Sequence, residues 1–134
     1  PFVSYNVYLT PDQSTSLSQP LNLLTGSGAA SVTLNTINNT LQYTLRTTNL
    51  NSTRTSETLN GPAARGLAGP AVAVLPSGNP KAGIIPYQET SEWSILAGLT
   101  YFNIATTGNP LGEIRGQIDQ GFIKPASADE WNQY

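Results

Sequence analysis

Short runs alternate apolar with polar residues at a period of two, broken by turn-forming residues, and this pattern restricts the chain to an all-β fold. The first run begins almost at once: Val3, Tyr5, Val7 and Leu9 alternate with Ser4, Asn6 and Tyr8, and Pro11-Asp12-Gln13 ends it. Ser14 to Gly28, with Pro20 inside, reads as a loop crossing an edge or end of the sandwich, with a short edge strand near Leu21 to Leu24. Ala30, Val32 and Leu34 alternate with Ser31 and Thr33, Asn35 to Asn39 supply turn chemistry, and Leu41, Tyr43 and Leu45 resume the alternation, which makes a β-hairpin. Residues 54–59 and 71–75 read as two more strands; the second is continuously apolar, which predicts a central position. Gly78 to Gly83 reads as a turn carrying Lys81.

Ser91 to Gly98 is the one helical candidate, with Thr90 or Ser91 as N-cap, Glu92 in the first turn and Gly98 at the stop. Tyr101 to Thr106 and Gly112 to Ile118 then form a closing hairpin around Asn109-Pro110-Leu111-Gly112. About eight short strands at this spacing predict an antiparallel β-sandwich with Greek-key connections and one short helix. The 134 residues fit a single domain over 1–134, large enough to bury roughly two-thirds of its unfolded surface without disulfides.

Two stretches carry a family resemblance. Tyr101-Phe102-Asn103-Ile104-Ala105-Thr106 leads through Pro110 to Gly112-Glu113-Ile114-Arg115-Gly116-Gln117, and Thr58-Leu59-Asn60-Gly61-Pro62-Ala63 precedes the apolar run Ala71 to Leu75. Both resemble motifs of the CHRD (chordin-type) domain family, in the right order and at the right spacing, over roughly residues 3 to 119. The family normally has histidines where this chain has Thr58, Asn60 and Ala105. The resemblance implies a β-sandwich similar in layout to copper/zinc superoxide dismutase, with Gly61, Pro62, Tyr101, Asn103, Gly112, Glu113, Arg115 and Gly116 as its structural motif residues. It does not imply a metal site here, because the three histidine positions are lost.

The chain contains no histidine, cysteine or methionine, so the usual imidazole and thiolate ligands of transition metals are absent. The eight acidic residues are scattered, Asp129 and Glu130 being the only adjacent pair, which disfavours a calcium site. A serine or threonine nucleophile would lack its commonest base. Glu89, Glu92 and Glu113 form no distinctive carboxylate pair for glycoside hydrolysis. Neither a cofactor nor an enzymatic activity is expected. Glu113 and Arg115, two apart on one strand, read as an ion pair or as backbone anchors, Asn103 as a hydrogen-bonding residue, and Trp93 and Tyr101 as core rather than a ligand platform.

Charged residues make up 10% of the chain and the net charge is -2, which disfavours nucleic acid or an anionic membrane as partner. No apolar run approaches the roughly 18 to 20 residues that span a bilayer. With 12 Ser, 16 Thr and 12 Asn, surface polarity comes from hydroxyls and amides, as in an extracellular or cell-surface β-protein. The first residue, Pro1 rather than Met, suggests a mature chain whose leader was removed, or a trimmed one. Asn38 and Asn51 begin Asn-x-Thr/Ser sequons beside expected turns and are glycosylation candidates.

The two ends suggest assembly. Phe2, Val3, Tyr5, Val7 and Leu9 form a strongly β-prone terminal strand over residues 2–9, and the extension 120–134 carries Phe122, Ile123, Trp131 and Tyr134. A strand donated to a neighbour's groove would build filaments from copies of this chain. The leading expectation is therefore a non-enzymatic subunit of an extracellular fibre or surface layer. The competing one is a monomeric adhesion module that binds glycan or protein through exposed tyrosines and Trp131.

Overall fold

In a computed structural model, residues 1–119 are described, and all structural statements below concern them. The candidates Phe122, Ile123, Trp131 and Tyr134 lie outside the described residues. Eight strands form two antiparallel four-stranded sheets. The first sheet holds β1 (Phe2–Leu9), β2 (Ser27–Asn35), β3 (Thr40–Thr48) and β6 (Lys81–Pro86), in the order β1-β2-β3-β6. The second holds β4 (Arg54–Asn60), β5 (Ala71–Val74), β7 (Tyr101–Thr106) and β8 (Ile114–Gln117), in the order β5-β4-β7-β8. The chain leaves the first sheet after β3 and returns to it with β6, which gives the Greek-key crossing.

The alternation read in the sequence is the inward face. Tyr5, Val7 and Leu9 of β1 join Val32, Leu34, Leu41, Tyr43 and Leu45 of the same sheet, and meet Leu59, Phe102, Ile104 and Ile114 from the other. Tyr43 and Phe102 cross the gap, ring centroids 5.9 Å apart. On one side the sheets are joined by reciprocal backbone hydrogen bonds between Thr10 and Arg115, of 3.0 and 3.1 Å. Gly116 permits that approach: a Cβ there would stand 2.7 Å from the carbonyl oxygen of Tyr8.

Three expectations about the strands need correction. Leu21–Leu23 is a turn of 3-10 helix, not an edge strand, because Pro20 precedes it and its residues have no ladder partner. Residues 71–74 form an edge strand rather than a central one, with Val72 and Val74 exposed; short apolar runs do not distinguish an edge from a centre when one face meets solvent. Lys81 opens β6 instead of sitting in a turn, since Ala82 and Ile84 continue the period of two and pair with Thr44 and Gln42 of β3. The eighth strand thus comes from 81–86, not 21–24.

The helix α1 (Glu92–Leu96) follows a 3-10 turn at Glu89–Ser91, and neither Thr90 nor Ser91 caps it by a side-chain bond. Instead the Ser94 hydroxyl donates back to the Ser91 carbonyl at 2.8 Å. Gly98 at φ 80 does follow the helix end. Trp93 is 63% exposed, contrary to its reading as core, because a five-residue helix buries only one side and Ser94 and Ile95 take it.

Candidate functional site

Of the motif residues, Tyr101, Asn103 and Arg115 stand on the outer face of the second sheet, Gly61 and Pro62 open the segment that follows β4, and Gly116 faces the core. With Leu59, Phe102, Ile104 and Ile114 turned to the core, their neighbours in sequence point outward. The strand register sets two rows there, Asn60-Tyr101-Gln117 and Thr58-Asn103-Arg115. Ala105 follows on the same face, opposite Ser56. The segment 61–70 folds over these rows, which is why Tyr101, Arg115 and Gln117 are all buried.

Arg115 holds that segment. Its guanidinium, 1% exposed, donates to the carbonyls of Leu67 at 2.7 Å and Ala64 at 3.1 Å and to Gln117 Oε1 at 3.0 Å, and lies 3.5 Å over the Tyr101 ring. Burial lowers its pKa, the Tyr101 hydroxyl opposes that shift, and the charge of Arg65 adds to it. Gln117 Nε2 donates to the carbonyls of Ala63 at 2.7 Å and Gly98 at 2.8 Å, and Tyr101 Oη accepts from the Gly69 N–H at 2.9 Å. Gly61 and Pro62 open the segment, Gly61 N–H bonding the Pro70 carbonyl at 2.9 Å.

Glu113 lies just before β8 and is no partner of Arg115. Its Oε1 accepts from the Thr106 hydroxyl at 2.8 Å and its Oε2 from the Asn51 N–H at 2.7 Å, so it ties the β7–β8 turn to the chain between β3 and β4. Of the two readings for this pair, backbone anchoring holds for both and the mutual ion pair for neither. Asn103, half-buried, donates to the Leu111 carbonyl at 3.2 Å. Gly112, at φ 137, passes so near Asn103 Oδ1 that a side chain there would collide with it.

The three positions of the family's histidines share this face but not a donor set for a metal. Thr58 Oγ1 donates to Asn60 Oδ1 at 2.6 Å, Asn60 Nδ2 donates to the Gly69 carbonyl at 3.0 Å, and Ala105 offers no donor. Both amide atoms of Asn60 are thus engaged within the protein, and these residues do not fit a transition metal. Among the described residues no group of three or more His, Cys, Asp or Glu could hold a metal ion.

Sequence reasoning missed two buried polar groups. Asn109 Oδ1 accepts the N–H groups of Ser18 at 2.9 Å and Gln19 at 3.0 Å, tying the long 10–26 connection to the closing hairpin. Glu57 of β4 and Lys81 of β6 form a buried ion pair between the sheets, and Lys81 Nζ also donates to the Pro76 carbonyl at 2.7 Å. Neither shows a local sequence signal, since each partner lies in a different strand or loop.

The remaining candidates are dispersed. Tyr5, Val7 and Leu9 are buried in their own core, Val3 packs against it and Phe2 is exposed. All eight residues of β1 pair in register with β2, from Phe2 opposite Asn35 to Leu9 opposite Gly28. Asn38 is exposed in the β2–β3 turn, its Oδ1 accepting from Thr40 at 2.9 Å. Asn51, also exposed, donates from Nδ2 to Gln19 Oε1 at 3.0 Å.

A Greek-key β-sandwich whose second sheet is roofed by a segment pinned by a buried arginine defines the class of protein. The CHRD domain matches residues 5–118, and the chain belongs to that family. CHRD domains are typically found in secreted or extracellular proteins. No curated protein and no solved structure matched the chain.

Proposed function

We propose that the chain is a non-catalytic domain of an extracellular or cell-surface protein that works by surface recognition, as an adhesion or binding module. The observation that carries this reading is the seating of β1, whose full length is paired with β2 and whose alternate side chains fill the domain's own core. Withdrawing it would expose Tyr5, Val7 and Leu9 at about 1.5–3 kcal/mol each, a sum comparable to the whole stability of a small domain. The motif residues support the same view, because Glu113, Arg115 and Asn60 are spent on internal hydrogen bonds and present no free acid, base or nucleophile pair.

Assembly into a fibre or layer is the second reading, and one observation favours it. The free edge of β5 carries Val72 at 61% and Val74 at 78% exposure, an apolar edge without a guarding charge. Size-exclusion chromatography with negative-stain microscopy separates the two, alongside a sedimentation assay with intact cells or extracellular matrix. A single small species that co-sediments supports the binding module; filaments or polydisperse material without co-sedimentation would overturn it.

A further inference from the structure

The outer face of the first sheet holds a shallow trough of about 310 Å³. Its shape follows from the register. Tyr8, Ala29 and Arg46 stand in one row across β1, β2 and β3, and Asn6, Ser31 and Thr44 in the next. Neighbouring strands lie about 4.8 Å apart, so Tyr8 and Arg46 rise roughly 10 Å from one another with the methyl of Ala29 as floor between them. Tyr8 is 49% exposed, and Pro80 lies at one end.

The polar groups here differ from their surroundings in having nothing to bind. On flanking rows the hydroxyls pair across strands, Ser4 with Thr33 at 3.3 Å and Ser27 with Thr48 at 3.2 Å. The side chains of Asn6, Tyr8, Ser31, Thr44 and Arg46 make no hydrogen bond or ion pair among the described residues. Arg54 is bonded to Thr47, Arg65 to Asp119, Arg115 to the 61–70 carbonyls and Lys81 to Glu57, so Arg46 is the one side-chain cation among the described residues without an internal partner. No carboxylate lines the trough; its other charged group, Lys81, is buried with Glu57.

We infer that this trough binds an acidic polysaccharide. Arg46 supplies a planar fork matched to a carboxylate, Tyr8 a face against which a sugar ring can lie, and Asn6, Ser31 and Thr44 neutral partners for ring hydroxyls. Charge complementarity selects the anion: one unpaired guanidinium and no local acid, on a protein whose net charge of -2 repels anions elsewhere. The inference rests on the binding-module reading and names the site and ligand class for it.

The test is affinity electrophoresis of the whole chain through gels containing polygalacturonate, with its methyl-esterified form as the uncharged control. Wild type is expected to be retarded by polygalacturonate, more at low than at high salt, and little by the ester. Arg46→Ala and Tyr8→Ala should each weaken binding at least about ten-fold, the size of one charge-assisted contact. Arg46→Lys should fall between, and all three should keep the wild-type circular dichroism because both side chains are exposed. Absence of retardation in wild type, or equal retardation in the variants, overturns the inference. If co-sedimentation with cells or matrix persists in that case, the module reading stands and only this site falls; if it is lost too, both fall.

Discussion

Replacing Lys81 by Met should destabilise the domain by about 3–5 kcal/mol, because it strands the Glu57 carboxylate between the sheets. Both side chains are only 4% exposed. The nearest remaining cation is Arg54, with Nε 3.8 Å from Glu57 Oε2, and Glu57 Oε1 already lacks a partner. Burial first, and then the Glu57 charge, raises the pKa of Tyr43, which places that carboxylate's field inside the core. With a urea m-value of about 2 kcal/mol/M, the unfolding midpoint should drop by roughly 1.5–2.5 M. The double variant Glu57→Leu with Lys81→Met removes both charges and should recover most of the loss, ending within about 1–2 kcal/mol of wild type, since a buried pair is often replaceable by apolar groups of similar volume. The residual deficit is the Pro76 carbonyl, which loses its donor. Urea titrations of the wild type, both single variants and the double variant close the cycle. A Lys81→Met cost below about 1 kcal/mol, or a double variant as unstable as the sum of the singles, would refute the reasoning.

Arg115→Lys should cost about 2–3 kcal/mol, because a lysine cannot hold the Leu67 and Ala64 carbonyls together while covering Tyr101; limited proteolysis should then cut first within 61–70, and unchanged resistance would count against the pinning role. Gly112→Ala should destabilise by about 1–3 kcal/mol, whereas Gly66→Ala, with nothing within 4 Å but φ 84, should cost about 1 kcal/mol or less; thermal melts decide the order. Burial is the first cause raising the pKa of Tyr5, Tyr43 and Tyr87, with Asp119, Glu57 and the hydrogen bond to Glu92 as the next causes respectively. The unfolded chain therefore loses these protons first, so stability should hold below pH about 10 and fall as pH rises beyond it; a urea midpoint that stays flat to pH 11 would contradict this. Deleting residues 1–9 should abolish cooperative unfolding, since the strand is part of the core.

The inward faces were legible because period two survives in β1, β2 and β3, where the solvent side is polar. It failed where solvent-facing residues are also apolar. Val72 and Val74 made an edge strand read as a centre, and Ile84 beside Ile85 hid β6 behind Gly78 and Pro80. The family motif singled out Tyr101, Asn103 and Arg115, which meet on one face of the second sheet, but not what they do there. Arg115 reaches carbonyls 48 and 51 positions earlier, and no local pattern encodes such contacts. The trough on the other sheet was equally invisible, because Tyr8, Ala29 and Arg46 become neighbours only through strand register.

The same contrast between the two outer faces bears on how the domain works. On the second sheet Asn60, Arg115 and Gln117 are buried beneath 61–70 and, with half-buried Thr58, close on one another, with Thr58 bonded to Asn60, Asn60 to Gly69, and Arg115 to Leu67, Ala64 and Gln117. A face so satisfied gains nothing from a ligand that would have to break those bonds in a dry setting. On the first sheet, Asn6, Tyr8, Ser31, Thr44 and Arg46 are solvated and unpaired, and a ligand need only replace water. On the binding-module reading proposed above, a ligand would therefore meet less resistance on the open face of the first sheet than on the face roofed by 61–70.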